Sequence, residues 1–447
     1  MKLFFFFLMF SFALNSCTNT GDDGWTELFN GKDLTGWKQL NGEAKFEAVD
    51  GMIVGTTVAN TPNSFLCTEQ DYSDFVLELE MFLEEDFNSG MQIRSESNPD
   101  YMDGRVHGYQ CEVDPTDRAW SAGIFDEARR GWLYPVELNP EAKPAFKDGE
   151  WNHYRIECIG PTIRTWLNGV PVAHLIDDMT LEGFIGLQLH SIPDESMAGR
   201  QIRWKNIRIK TENLEPSPFE DIYVVNLLPN HLSEAEKEQG FQLLFDGNST
   251  ENFKSVDGEE FPSKGWKAED GVLTVIGKDE RTEEEKGGSI ITKEEFGPFE
   301  LKFDFMFTEG ANSGIKYGLG NNGHSVGLEY QILDDENHPD AKNGIQGNRT
   351  LASLYDLIPA KKQGRFVNGP GEWNRGRIVL YPDNRVEHWL NGRKVVEFTR
   401  GSEEFKKLVE GSKFADKEGF GMAETGPIHI QDHNNTVHFR SLKIREF

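Results

Sequence analysis

A chain of 447 residues exceeds what one hydrophobic core ordinarily serves, so two or three domains are expected. Its 37% hydrophobic and 12% aromatic content, with 45 Gly against 19 Pro, excludes disordered and collagen-like chains. Against 46 Lys and Arg stand 75 Asp and Glu, a net charge of −29 that repels phosphate backbones and anionic lipid and argues against a nucleic-acid partner.

At the N-terminus Lys2 precedes the apolar run Phe4 to Phe10, which gives way to Ser11-Phe12-Ala13-Leu14-Asn15-Ser16-Cys17. This is the pattern of a secretory signal, too short for the ~20 apolar residues of a membrane span. Leu14-Asn15-Ser16-Cys17 resembles a bacterial lipobox, which predicts residues 1–17 as a lipoprotein signal with Cys17 lipidated. The mature protein would then be tethered to the bacterial cell envelope, in the periplasm or on the outer-membrane surface, touching membrane only through that anchor. A plain signal peptide with an incidental Cys is the alternative. Cys67, Cys111 and Cys158 have no CxxC spacing and lie among apolar residues, so they read as buried thiols rather than metal ligands or nucleophiles.

Period-two alternation then dominates. Phe75 to Leu83, Trp151 to Ile159, Ile163 to Leu167, Phe184 to His190, Ile202 to Ile209 and Phe299 to Phe305 read as strands. Asn-Gly and Asp-Gly turns separate them, and no long helical period appears. The chain also repeats itself. Phe29-Asn30-Gly31 returns as Phe245-Asp246-Gly247, Asn88-Ser89-Gly90 as Asn312-Ser313-Gly314, and Glu150-Trp151-Asn152 as Glu372-Trp373-Asn374. Trp166-Leu167-Asn168-Gly169 returns as Trp389-Leu390-Asn391-Gly392, and Gln188-Leu189-His190 as Gln431-Asp432-His433. The offset drifts from 216 through 223 to 243, far longer than a solenoid period, so a whole domain is duplicated. The domains predicted are 24–211 and 240–447. The linker, 212–239, is broken by Pro216 and Pro218 and carries one short helix, capped by Ser233 with Glu236 reaching back. Many short strands with Gly-rich turns make each copy an antiparallel sandwich or jelly roll.

Trp25 to Trp37, Asn312-Ser313-Gly314-Ile315-Lys316-Tyr317, Gly327 to Asp334, His388 to Gly392 and Ile430-Gln431-Asp432-His433 resemble the bacterial 3-keto-disaccharide hydrolase family. The resemblance spans both copies. It implies two tandem concanavalin-A-like jelly-roll domains, all-β, and a carbohydrate substrate already oxidised at C3. Its glycosidic bond would be broken by elimination and hydration, a net hydrolysis.

Strand parity sorts the polar residues. Gln110, Glu112 and Asp114 share one face, ~6.6 Å apart, with Tyr109, Cys111 and Val113 on the other. In the second copy Glu329 and Gln331 oppose Leu328, Tyr330 and Ile332, and Asp334 joins the row only across a bulge at Leu333. Gln92 and Arg94 face away from Met91 and Ile93, with Lys316 in the place of Gln92. Gln188 and His190 share a face. Such rows meet solvent or line a groove, and an open groove of carboxylate, amide and imidazole suits a sugar. A ketone at C3 acidifies the C2 proton, so a base and a cation for the enolate oxygen are required, with no redox cofactor in this chain. The first-copy candidates are Glu112 or His190 as base, Arg94 and Arg130 as oxyanion partners, and Gln110, Asp114, Asp126 and Gln188 as substrate contacts. The second-copy candidates are Glu329 and His433 with Lys316 as electrophile, and Gln331, Asp334, Asp356 and Gln431 as substrate contacts. No spacing demands a metal, although these oxygen-rich groups with His could hold a divalent ion. His153 and His388 read as surface-strand residues, and Trp37, Trp151 and Trp373 as core. A non-catalytic carbohydrate-binding lipoprotein is the competing reading.

Overall fold

Alternating apolar and polar residues make a strand that turns one face to the core, and two long runs of this kind, Phe75–Leu83 and Phe299–Phe307, sit inside a sheet in each copy. The structure, a computed structural model, describes residues 24–83, 87–320 and 323–447. The signal segment and Cys17 lie outside the described residues. In the first copy Phe75–Leu83 pairs antiparallel with Asn152–Ile159 and with Gln201–Lys210, within a nine-stranded sheet. The facing seven-stranded sheet runs Gly131–Tyr134, Ile124–Glu127, His107–Val113, Ser89–Glu96, Phe184–Leu189, Ser64–Thr68, Trp37–Leu40. The second copy repeats the plan with eight and five strands, the smaller sheet running Phe253–Ser255, Ile290–Thr292, His429–Ile430, Asn312–Tyr317, Leu328–Leu333. The fold is therefore all-β, two tandem jelly-roll sandwiches of the concanavalin-A-like kind.

Each core is the pair of inner faces. Leu77, Leu79 and Met81 pack against Met91, Ile93, Tyr109 and Val113 in the first copy. Phe303 and Phe305 meet the edge of Tyr330 in the second. Cys67, Cys111 and Cys158 are buried free thiols, and burial pushes all three up, Cys158 to about 12. His388 departs from the sequence reading. It is fully buried, within 2.8 Å of the Tyr317 hydroxyl and 3.1 Å of the Ala352 carbonyl, and burial holds it at about 4. Trp37 is core, but Trp151 and Trp373 are only half-buried, with Lys205 and Arg440 each 4.0 Å from their rings.

Past the first copy, Val225–Asn226 adds in parallel to Val170–Ile176, extending the first sheet. The helix Glu234–Glu238 follows, with both bonds of the Ser233–Glu236 capping box. Glu236 is fully buried and takes the ammonium groups of Lys302 at 3.4 Å and Lys443 at 3.1 Å, so the helix is clamped to the second copy. Trp120 meets Phe366 edge-on across the copies, and Arg393 reaches Glu137 at 2.8 Å. Among the described residues no helix is long and apolar enough to cross a membrane.

Candidate functional site

Strand register aligns the polar rows of the two copies. Gly90 lies opposite Glu112 and Gln92 opposite Gln110; Gly314 lies opposite Gln331 and Lys316 opposite Glu329. Position for position, Gln110 corresponds to Glu329 and Glu112 to Gln331. Each copy thus carries one carboxylate, in different places along the row. The glycine of Asn-Ser-Gly is what lets the row lie flat. A Cβ on Gly90 would stand 2.5 Å from Gln110 Cδ, and one on Gly314 would stand 2.4 Å from Glu329 Oε1. Ser89 and Ser313 tie the neighbouring strand, donating to the Gln188 and Gln431 carbonyls at 2.7 and 2.8 Å.

The second copy opens a cleft of about 600 Å³ over its row. Lys316, Glu329, Gln331, Gln431 and His433 all line it. Burial raises the Glu329 carboxyl above its ordinary range, against the pull of Lys316, whose ammonium is 3.8 Å away and also donates to the Ser325 carbonyl at 3.1 Å. Gln331 donates to Asn312 at 3.0 Å, which leaves Gln331 Oε1 buried without a partner. Gln431 Oε1 is in the same state, as is Nε2 of His429, the strand neighbour of Lys316. Unpartnered buried polar atoms are costly, so the two that belong to the cleft wall, on Gln331 and Gln431, mark a surface made to hydrogen-bond water or a hydroxylated ligand. His433 is exposed at the rim, its ring 6.3 Å from that of His338. Tyr355 donates to Asp340 at 2.8 Å, and Lys413 lies 4.2 Å from the Tyr355 ring.

The first-copy candidates do not assemble in this way. Glu112 is buried and accepts from the amides of Asn88 and Gln110, the latter at 2.7 Å. Gln110 in turn accepts from Gln92 at 2.5 Å and Gln188 at 2.8 Å, so the amides bond to one another, although Gln188 Oε1, like its counterpart Gln431 Oε1, keeps no partner. Arg94 is turned away from the row. The register breaks between Ile93 and Glu96, Arg94 adopts φ 45°, and its buried guanidinium donates to the Ser73 and Gly160 carbonyls and to Asp74. Parity counting fails wherever a bulge adds residues to one strand. Asp126 and Arg130 lie on the opposite side of the sheet, because Asp126 is the register partner of core-facing Tyr109; Arg130 bridges Asp126 and Asp177. Asp114 holds its own loop, accepting from Thr116, Arg118 and the Trp120 amide. His190 is exposed, its Nδ1 2.8 Å from the Ser191 carbonyl.

Two second-copy candidates are also off the cleft wall. Asp334 forms the turn after Leu328–Leu333, accepting from the Gly310, Glu336 and Asn337 amides. Asp356 accepts from Arg349 at 2.7 Å and from the Lys413 amide at 3.0 Å, so it anchors the loop that carries Lys413. The sequence reading missed His338, Asp340, Tyr355, Lys413, Phe414 and Lys417, which close the cleft from loops. A signal for some of them was present. The repeat offset jumps from 223 to 243 between Trp389 and Gln431, an insertion that carries the helix Glu403–Glu410 and, just after it, Lys413 to Lys417. Among the described residues no group of three or more His, Cys, Asp or Glu is placed to hold a metal ion.

A family model described as a 3-keto-alpha-glucoside-1,2-lyase-like domain matches residues 24–210 and again residues 240–445. The chain belongs to this family. It is a tandem member and a carbohydrate-active, hydrolase-type enzyme. A 3-keto-disaccharide hydrolase of Bacteroides thetaiotaomicron is 33% identical over 230 residues, which cover 46% of this chain and 78% of that protein. Two solved structures from Parabacteroides distasonis, named as glycosyl hydrolases, are 32% and 28% identical. They cover 49% and 46% of this chain and 100% and 99% of their own, with TM-scores of 0.43 and 0.36.

Proposed function

We propose that the second copy cleaves 3-keto-glycosides in the cleft over Glu329, and that the first copy does not turn over. The observation that carries this reading is the convergence of Glu329, Lys316 and His433 on one open cleft, whereas Glu112 is tied down by the amides of Asn88 and Gln110 with no cation beside it in its row among the described residues, Arg94 being turned away. In the reaction Glu329, as carboxylate, takes the C2 proton of the 3-keto sugar. The C2–H electron pair moves into the ring as an enolate, whose O3 charge is met by the Lys316 ammonium. The enolate then collapses, the C1–O bond breaks, and the departing oxygen takes a proton from His433. Water adding across the resulting C1–C2 double bond completes a net hydrolysis. Burial supports the first step, because a carboxylate with raised proton affinity is a stronger base at neutral pH. Gln331 and Gln431 offer acceptors to sugar hydroxyls.

The test is time-resolved NMR with a 3-keto-disaccharide. Glu329→Gln is expected to lower turnover roughly 10²–10⁴-fold, as loss of a general base does, while Glu112→Gln retains it. In D₂O the C2 hydrogen should wash out. Full activity in Glu329→Gln, or binding with no bond broken in the native protein, would sink the reading, the latter in favour of a lectin. The same proposal includes attachment to the bacterial envelope through lipidated Cys17, tested by Cys17→Ser moving the protein from the membrane to the soluble fraction.

A further inference from the structure

The two sandwiches enclose another cleft, of about 580 Å³, remote in sequence and lining from the one over Glu329. Five guanidiniums line it, Arg129 and Arg130 from the first copy and Arg365, Arg375 and Arg440 from the second. Carboxylates reach it too. Asp177 holds Arg130 at 2.5 Å and Asp304 holds Arg440 at 3.1 Å, while Asp178 and Glu372 stand elsewhere on the wall. The remaining guanidiniums are under-used. Arg129 shares the buried Asp126 with Arg130, gives one Nη to Thr180, and keeps its Nη2 buried with no acceptor. Arg375 forms no ion pair among the described residues; its guanidinium reaches the Leu133 carbonyl at 3.4 and 3.5 Å, with Asp304, already held by Arg440, opposite it across the strand pair. Arg365 is exposed and lies 4.8 Å from the Phe366 ring, again with no ion pair among the described residues.

A buried guanidinium donor without an acceptor is costly, and its planar fork matches a carboxylate or sulfate oxygen pair. Half-buried Trp132 and Trp373 stand on the same wall, with Arg118 5.0 Å from the Trp132 ring and Arg440 4.0 Å from the Trp373 ring, and their remaining apolar surface suits a sugar ring. We propose that this inter-domain cleft is a second carbohydrate site, specific for a sugar bearing a carboxylate or sulfate group. It exists only because the domain is duplicated, and it does not depend on which copy is catalytic.

Calorimetric titration of the full chain tests it, with digalacturonate, a sulfated disaccharide, neutral cellobiose and sodium sulfate as probes. At least one charged disaccharide is expected to bind ten-fold or more tighter than cellobiose, and which one binds tells carboxylate from sulfate. Arg129→Gln should weaken that binding about ten-fold. Arg365→Ala, a change at an exposed side chain, should weaken it about five-fold, whereas Glu329→Gln should leave it unaltered. The proposal fails if neither charged disaccharide binds, if cellobiose or sulfate alone binds as well, or if both arginine variants, shown folded, bind with unchanged affinity.

Discussion

Glu112 and Glu329 are the same kind of residue on corresponding strands, yet their surroundings set different tasks. Burial drives the Glu112 carboxyl up to about 7, only partly offset by its bonds from Asn88 and Gln110. A carboxyl that binds its proton more tightly when folded stabilises the protein below its unfolded value of 4.5, and that stabilisation is lost as pH rises through about 7. The loss amounts to about 3 kcal/mol. Chemical denaturation between pH 5 and 8 should show it, and Glu112→Gln should flatten the profile. The Glu329 carboxyl is raised as well, but in an open cleft, so its ionisation should appear in kcat/KM, climbing with pH through a value above the ordinary carboxylate range. Gly314→Ala is expected to lower activity at least ten-fold, since the new Cβ displaces the Glu329 head. Measured 3-keto-disaccharide turnover that is unchanged in Gly314→Ala would show that the carboxylate position is immaterial.

At the scale of elements, two short helices outside the sheets do the specialising. The helix Glu403–Glu410 starts on the Ser402 cap and leads the chain to Lys413 and Phe414 over the cleft. Lys413→Ala should therefore raise KM several-fold with less effect on kcat, a split readable in steady-state kinetics. The helix Glu234–Glu238 instead fastens the copies together. Burial alone would raise the Glu236 carboxyl, but Lys302 and Lys443 outweigh it and hold it at about 2. A depressed carboxyl contributes stability above its unfolded value of 4.5, and that contribution is lost as pH falls toward about 2. Its loss is worth about 3 kcal/mol. Glu236→Ala should cost about 3–5 kcal/mol at neutral pH, because two ammonium groups are left buried without their anion, and thermal unfolding would measure it.

For the whole molecule, the interface makes one body of two sandwiches. Phe366, Val379 and Trp389 of the second copy pack into the first copy's core cluster. A void of about 50 Å³ between the copies is walled by Glu236, Lys302, Arg377 and Lys443, polar enough to hold ordered water. The copies should consequently unfold together. Calorimetry is expected to give one transition for the native chain and two for Phe366→Ala, a truncation that costs about 3–5 kcal/mol at a buried site. The under-used arginines of the inter-domain cleft also belong to this scale, since neither copy contains that cleft alone.

The duplication, the strands and the alternating polar row were legible in the sequence because they rest on local rules: two-residue periodicity, turn chemistry and an ordered set of repeated motifs. Lys316, Glu329, Gln331 and Gln431 could be paired on one face for the same reason. Where Arg94 points was not legible, because a bulge with positive φ breaks the parity. Nor was the side of Asp126 and Arg130, which cross-strand register with Tyr109 decides. Whether a polar row is open or closed depends on residues far away in the chain. The carboxylate of Glu112 is held by Asn88 and by Gln110, itself bonded to Gln92 and Gln188, while loops from His338 to Lys417 build walls around Glu329. Side-chain direction along a strand is a property of the strand, but access to a site is a property of everything packed around it.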